Sequence, residues 1–134
     1  MFKHKTDEHG KVVRYKARLT AKGFAQVEGL DYVETYAPTS RYSTVRIFLV
    51  LVLQLGLTLI QMDIKTAFLY GVLEEEIYLQ PPLGVDVPNG KVLRLRKSLY
   101  GLKQAPRVWN ENIHRTLTAL GGRNSEYDEC LYVF

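Results

Sequence analysis

Only one cysteine, Cys130, occurs in the chain, which excludes an internal disulfide and fits a reducing compartment. The three histidines, His4, His9 and His114, have no ligand spacing with Cys130, so a structural zinc site is not expected. No apolar run reaches the roughly 20 residues of a membrane-spanning helix. The strongest, from Ile47 to Ile60, is shorter and is interrupted by Gln54, Gly56 and Thr58. The N-terminus, Met1-Phe2-Lys3-His4-Lys5, lacks the apolar core of a signal peptide. Internal repeats, low-complexity tracts and flexible linkers are missing too, as is any Asp-Asp pair. Absent a targeting signal or span, a cytoplasmic location without a membrane partner is the expectation.

What is present is an ordinary globular balance, 46% hydrophobic and 24% charged over 134 residues, enough for one domain with a real core. The formal net charge of +4 conceals a strong segregation. Residues 3–22 and 91–107 hold 13 of the 18 basic residues, at net +5 and +6, and leave the rest of the chain at −7. Such clustering suits a polyanionic partner, nucleic acid first, and equally suits two solvated strand faces.

The patterning predicts a β-hairpin, Phe2 to Lys5 and Val12 to Thr20, around the turn residues Asp7-Glu8-His9-Gly10. Along its second strand Arg14, Lys16, Arg18 and then Lys22 share one face, and Val13, Tyr15, Ala17 and Leu19 the other. Cations spaced about 6–7 Å apart match successive phosphates of a single strand or a triphosphate, and they also match a lysine-protected edge strand. Gly23 to Pro38 reads as a loop with aromatic anchors. A helix capped by Ser40 or Ser43 is expected to run to Leu55 and end at Gly56, buried on most sides, although its valines keep a strand open. A strand from Leu57 to Ile64 and a short helix from Lys65 to Tyr70 follow. Glu74-Glu75-Glu76 reads as a solvated face. Pro81, Pro82, Gly84, Pro88, Asn89 and Gly90 mark a loop and a turn before a second alternating strand, Lys91 to Lys97. Pro106 suits the first turn of a helix with the stripe Trp109, Ile113, Leu117 and Leu120, an expected Glu111–Arg115 pair, and a stop at Gly121-Gly122. Cys130 to Phe134 reads as a last strand.

Within Gln61-Met62-Asp63-Ile64-Lys65-Thr66-Ala67-Phe68, a single carboxylate ends the expected buried strand. A carboxylate so placed needs a metal ion or a cation, or it caps the helix that follows. The flanking segments add to this: Tyr15-Lys16-Ala17-Arg18-Leu19, Ala21-Lys22-Gly23-Phe24, Leu73-Glu74-Glu75-Glu76-Ile77-Tyr78, and Lys97-Ser98-Leu99-Tyr100-Gly101-Leu102-Lys103-Gln104-Ala105-Pro106-Arg107. In this order the segments resemble the reverse transcriptases of Copia-type retrotransposons, from Phe2 to Phe134.

The resemblance implies an α+β right-hand polymerase fold, with fingers at about 1–40 and 73–104 and palm at about 41–72 and 105–134, cut before the family's Tyr-x-Asp-Asp hairpin. It implies RNA-directed DNA polymerisation by two-metal phosphoryl transfer, with Mg²⁺ held by Asp63 and the Ile64 carbonyl. Nucleotide contacts are implied for Lys16, Arg18, Lys22, Phe68 (as sugar gate), Tyr100 and Gly101, and nucleic-acid contacts for Arg94, Arg96, Lys103 and Arg107. Without the family, Phe68 reads as core and Tyr100 as packing beneath Trp109. The partners implied are an RNA template, a DNA primer and deoxynucleoside triphosphates, in a polyprotein housed in a virus-like particle. Because the second carboxylates are missing, the chain alone is expected to be inactive; because the palm sheet lacks strands beside Leu57 to Ile64, it is expected to be marginally stable or to self-associate through the open edge. The alternative is a catalytically dead nucleic-acid-binding remnant.

Overall fold

A computed structural model describes residues 1–88 and 90–134; Asn89, placed by sequence in a turn, lies outside them. The chain begins with the expected hairpin, β1 (Phe2–Thr6) and β2 (Val12–Ala17), antiparallel with Phe2 opposite Ala17 and Lys3 opposite Lys16. Asp7 shapes its turn: Oδ1 accepts from the backbone N–H groups of His9 (3.0 Å) and Lys11 (2.9 Å), the local bonding that makes Asp a turn residue. A register irregularity between Lys5 and Thr6 bends the ribbon. β2 stops at Ala17, short of the expected Thr20, because the chain turns to bond elsewhere: the Ala21 N–H donates to the Tyr100 carbonyl at 2.7 Å.

Helix α1 (Tyr42–Gln54) lies where the apolar run predicts a helix, but two expectations fail. Its cap position is Arg41, and neither Ser40 nor Ser43 caps it through its own side chain. Instead Asp128, 87 residues away, accepts from the Arg41 N–H at 3.0 Å and from the Ser40 hydroxyl at 3.4 Å. Nor is the helix buried on most sides: only Val52 is buried, while Ile47, Val50 and Leu53 face outward. The expected strand from Leu57 to Ile64 is also absent, since no neighbouring strand among the described residues supplies a ladder. The segment is exposed, and a 3₁₀ turn at Ala67–Tyr70 replaces the short helix.

Two-residue strands complete the sheet structure. β3 (Tyr78–Leu79) pairs with β4 (Leu93–Arg94), far shorter than the expected Lys91 to Lys97, although Leu95 continues the contact by donating to the Ile77 carbonyl. Helix α2 (Ala105–Ala119) starts as predicted, with Pro106 in its first turn, where the missing N–H has no cost. Its ion pair is Arg107–Glu111 at 2.8 Å rather than Glu111–Arg115. β5 (Arg123–Asn124) pairs with β6 (Tyr132–Val133), the centre of the expected last strand. The core sits at the mouth of α2, where Ile77, Leu99, Leu102 and Ala105 are buried and Ala21, Phe68, Leu73, Leu79 and Leu95 pack on them.

Candidate nucleotide and nucleic-acid interface

Cross-strand pairing assembles a cationic face that the second strand alone does not show. Lys3 stands opposite Lys16 and Lys5 opposite Arg14, so all four project from one side of the hairpin with Arg18 continuing the row. Like charges held directly opposite one another disfavour a two-stranded ribbon. The crowding of cations draws the Lys16 ammonium down from the ordinary lysine value, Lys5 first and then Arg18, with its direct partner Lys3 contributing least. Sequence reasoning missed Lys3 and Lys5, because register, not spacing along one strand, brings them in. The opposite face carries Phe2, His4 and Tyr15, with Phe2 and Tyr15 strongly exposed.

Beyond the hairpin, three of the predicted nucleotide contacts meet. The Arg18 guanidinium lies 5.8 Å from the centre of the Tyr100 ring, and the Phe68 ring meets Tyr100 edge-on at 5.1 Å. Tyr100 thus packs on Phe68, while Trp109 lines a different, apolar groove of about 470 Å³ with Phe68, Ile113 and Leu117. Phe68 also touches the core, so it serves as packing as well as an aromatic wall. Gly101 adopts φ +92°, and a Cβ there would run into the Ala21 carbonyl oxygen; one at Gly23 would run into that of Gly101. Glycine is required at both positions for the two backbones to approach.

The remaining predicted residues stand apart. Arg94 is paired with Glu76 at 2.6 Å and Arg107 with Glu111, so both cations are already partly neutralised. Lys103 donates to the Tyr32 hydroxyl at 2.9 Å and lies 4.5 Å from the centre of that ring. Lys22 stands exposed at the head of the Gly23–Ala25 3₁₀ turn, and Arg96 beside Glu74 and Glu75 in a shallow groove. Asp63 and Ile64 lie in the exposed segment, not at the end of a buried strand. Among the described residues, no group of three His, Cys, Asp or Glu side chains is arranged to hold a metal ion. Between Asp63 and Phe68, Thr66 holds φ +53°, a strained conformation for a β-branched residue, beside the two positions of interest.

Comparison with known proteins bears on the family of the chain. The family model described as "Reverse transcriptase (RNA-dependent DNA polymerase)" matches residues 1–134, and the chain belongs to that family. Among its relatives is the "Retrovirus-related Pol polyprotein from transposon TNT 1-94" of Nicotiana tabacum, 45% identical over 134 residues, covering 98% of this chain and 10% of the tobacco protein. The corresponding polyprotein from transposon RE1 of Arabidopsis thaliana is 42% identical over 136 residues, covering 99% of this chain and 9% of the relative. The "Transposon Ty1-ER2 Gag-Pol polyprotein" of Saccharomyces cerevisiae is 35% identical over 135 residues, covering 89% of this chain and 7% of the relative. The resemblance to Copia-type elements is therefore borne out, and the chain spans about a tenth or less of the length of these relatives. No solved structure matches. No helix among the described residues is long and apolar enough to cross a membrane.

Proposed function

We propose that this chain forms the phosphate-gripping fingers and part of the palm of an RNA-directed DNA polymerase within a longer transposon polyprotein. The observation that carries the reading is the face of Lys3, Lys5, Arg14, Lys16 and Arg18, which runs into the Arg18–Tyr100–Phe68 stack. Five cations without an acid among them suit a phosphate chain. Aromatic rings at the end of the row suit the sugar and base that phosphates carry. In this reading Lys16, Arg18 and Lys22 hold the triphosphate or the template backbone, Tyr100 and Phe68 wall the sugar, and Gly101 keeps that wall close to the fingers.

Asp63, with the Ile64 carbonyl, is proposed as one ligand set for Mg²⁺. It does not make a site alone: two-metal chemistry needs at least two converging carboxylates, and the described residues bring no second one to Asp63. No catalytic step is therefore assigned to this chain. A primer-extension assay on an RNA template with Mg²⁺ is expected to show no incorporation by the isolated chain. Templated incorporation that Asp63→Asn abolishes would overturn that division of labour.

The second reading, nucleic-acid binding without catalysis, is favoured by the same cationic face together with the lack, among the described residues, of an acidic group arranged for a metal ion. Both readings expect binding that weakens as salt rises, and they differ only in what happens when the rest of a polyprotein is present. The exposed apolar surface of α1 and of the 57–64 segment supports self-association of the isolated chain.

A further inference from the structure

Gln104 is enclosed to 1% exposure at the start of α2, among the most deeply buried side chains described. A buried amide is destabilising unless its donor and acceptor are both used. Here both are. Its Oε1 accepts from Gln26 Nε2 at 3.0 Å, and its Nε2 donates to the Asp31 carbonyl at 2.8 Å. Gln26 completes the exchange, since its Oε1 accepts from the Lys103 N–H at 2.7 Å. Asp31 in turn ties its own loop, accepting from the Val27 N–H at 2.7 Å. Two glutamines 78 residues apart thus join the 26–31 loop to the first turn of α2.

This junction lies just past the cationic strand. Three residues after Arg18, Ala21 donates to the Tyr100 carbonyl, and Gly23 and Gly101 permit the backbone contact. Arg18 meets Tyr100 on the same turn that this junction anchors. We propose that Gln104, with Gln26, is a latch of positioning residues that sets Arg18 over Tyr100 and so fixes the phosphate row against the aromatic wall. The proposal rests on the reading above that the hairpin grips phosphates.

The test uses the 134-residue chain, a fluorescein-labelled single-stranded oligo-dT probe followed by anisotropy at low salt, and amide hydrogen exchange. Gln104→Met keeps the volume and removes the amide. It is expected to weaken binding about fivefold, on the scale of a lost phosphate contact. In an Arg18→Ala background it is expected to weaken binding no further, because both changes act through one contact. Exchange is expected to speed up at the Ala21 and Lys103 amides together while the later turns of α2 stay protected. Losses from Gln104→Met and Arg18→Ala that multiply, or an Ala21 amide that keeps its protection, would overturn the latch. Failure of the phosphate reading looks different: Lys16→Ala and added salt would leave binding unchanged. That outcome removes the role given to Arg18, and the exchange data then decide the latch by themselves.

Discussion

Helix α1 and the turn that opens α2 make an instructive pair. Almost every residue of α1 from Val45 to Leu53 is apolar, yet a single one is buried. The stretch from Ser98 to Ala105 mixes Ser, Tyr, Gly, Lys and Gln with a few apolar residues, yet it holds most of the core and two enclosed polar side chains. Apolar content signals which side chains gain from burial; it does not supply the partner that buries them. The turn has partners on several sides: the 21–32 loop, the 67–70 turn and the β3–β4 ribbon all converge on it. Helix α1 is held chiefly at its beginning, by Asp128.

The contrast predicts that the molecule breaks first where it is least hydrophobic. Gly101→Ala is expected to be the most damaging change. It forces a left-handed φ of +92° on a residue with a Cβ and drives that Cβ into the Ala21 carbonyl. A loss of about 2–4 kcal/mol in urea denaturation is expected, a large share of the stability of a small domain. Next comes a matched pair of truncations. Leu102→Ala, at 4% exposure, is expected to cost about 2–4 kcal/mol, and Leu53→Ala, at 81% exposure, to stay within about 0.5 kcal/mol. Equal losses in the two would dissolve the contrast between helix α1 and the turn.

Smaller, but specific to α1, is the effect of acid. Asp128, at 5% exposure, has its carboxyl drawn down from the ordinary 3.8 to about 2, by the Thr44 hydroxyl first, then by the Arg41 and Cys130 N–H groups. A depressed folded-state value means the stabilisation is whole above pH 4 and fades as pH falls toward 2. Circular dichroism at 222 nm is expected to show helicity declining through that window. Asp128→Asn is expected to remove that acid step and to lower the melting temperature at neutral pH. An acid transition unchanged in Asp128→Asn would place the sensitive group elsewhere.

Several local signals in the sequence held where the physics was local, although the ion pair of α2 forms at Arg107–Glu111 and not at the equally local Glu111–Arg115. The Asp7 turn, the alternation from Val13 to Ala17, the Pro106 start of α2 and the stop at Gly121-Gly122 each depend on residues a few positions apart, and each was legible. The cap of α1 was not, because it comes from Asp128, across most of the chain. The strand expected at Leu57 to Ile64 failed for the same reason in reverse. Its residues favour extended backbone, but a strand exists only when a neighbour completes its ladder.

The candidate site divides along the same line. Sequence by itself determined the family and the residue types: the cations of β2, Asp63, Phe68, and the Tyr100–Gly101 turn. Tertiary structure decided which of them meet. It brought Arg18, Tyr100 and Phe68 together, added Lys3 and Lys5 to the cationic face, and paired Arg94 and Arg107 with glutamates. It also gave Gln26 and Gln104 a task that no spacing announces, because a buried amide acquires its meaning only from the distant groups that satisfy it.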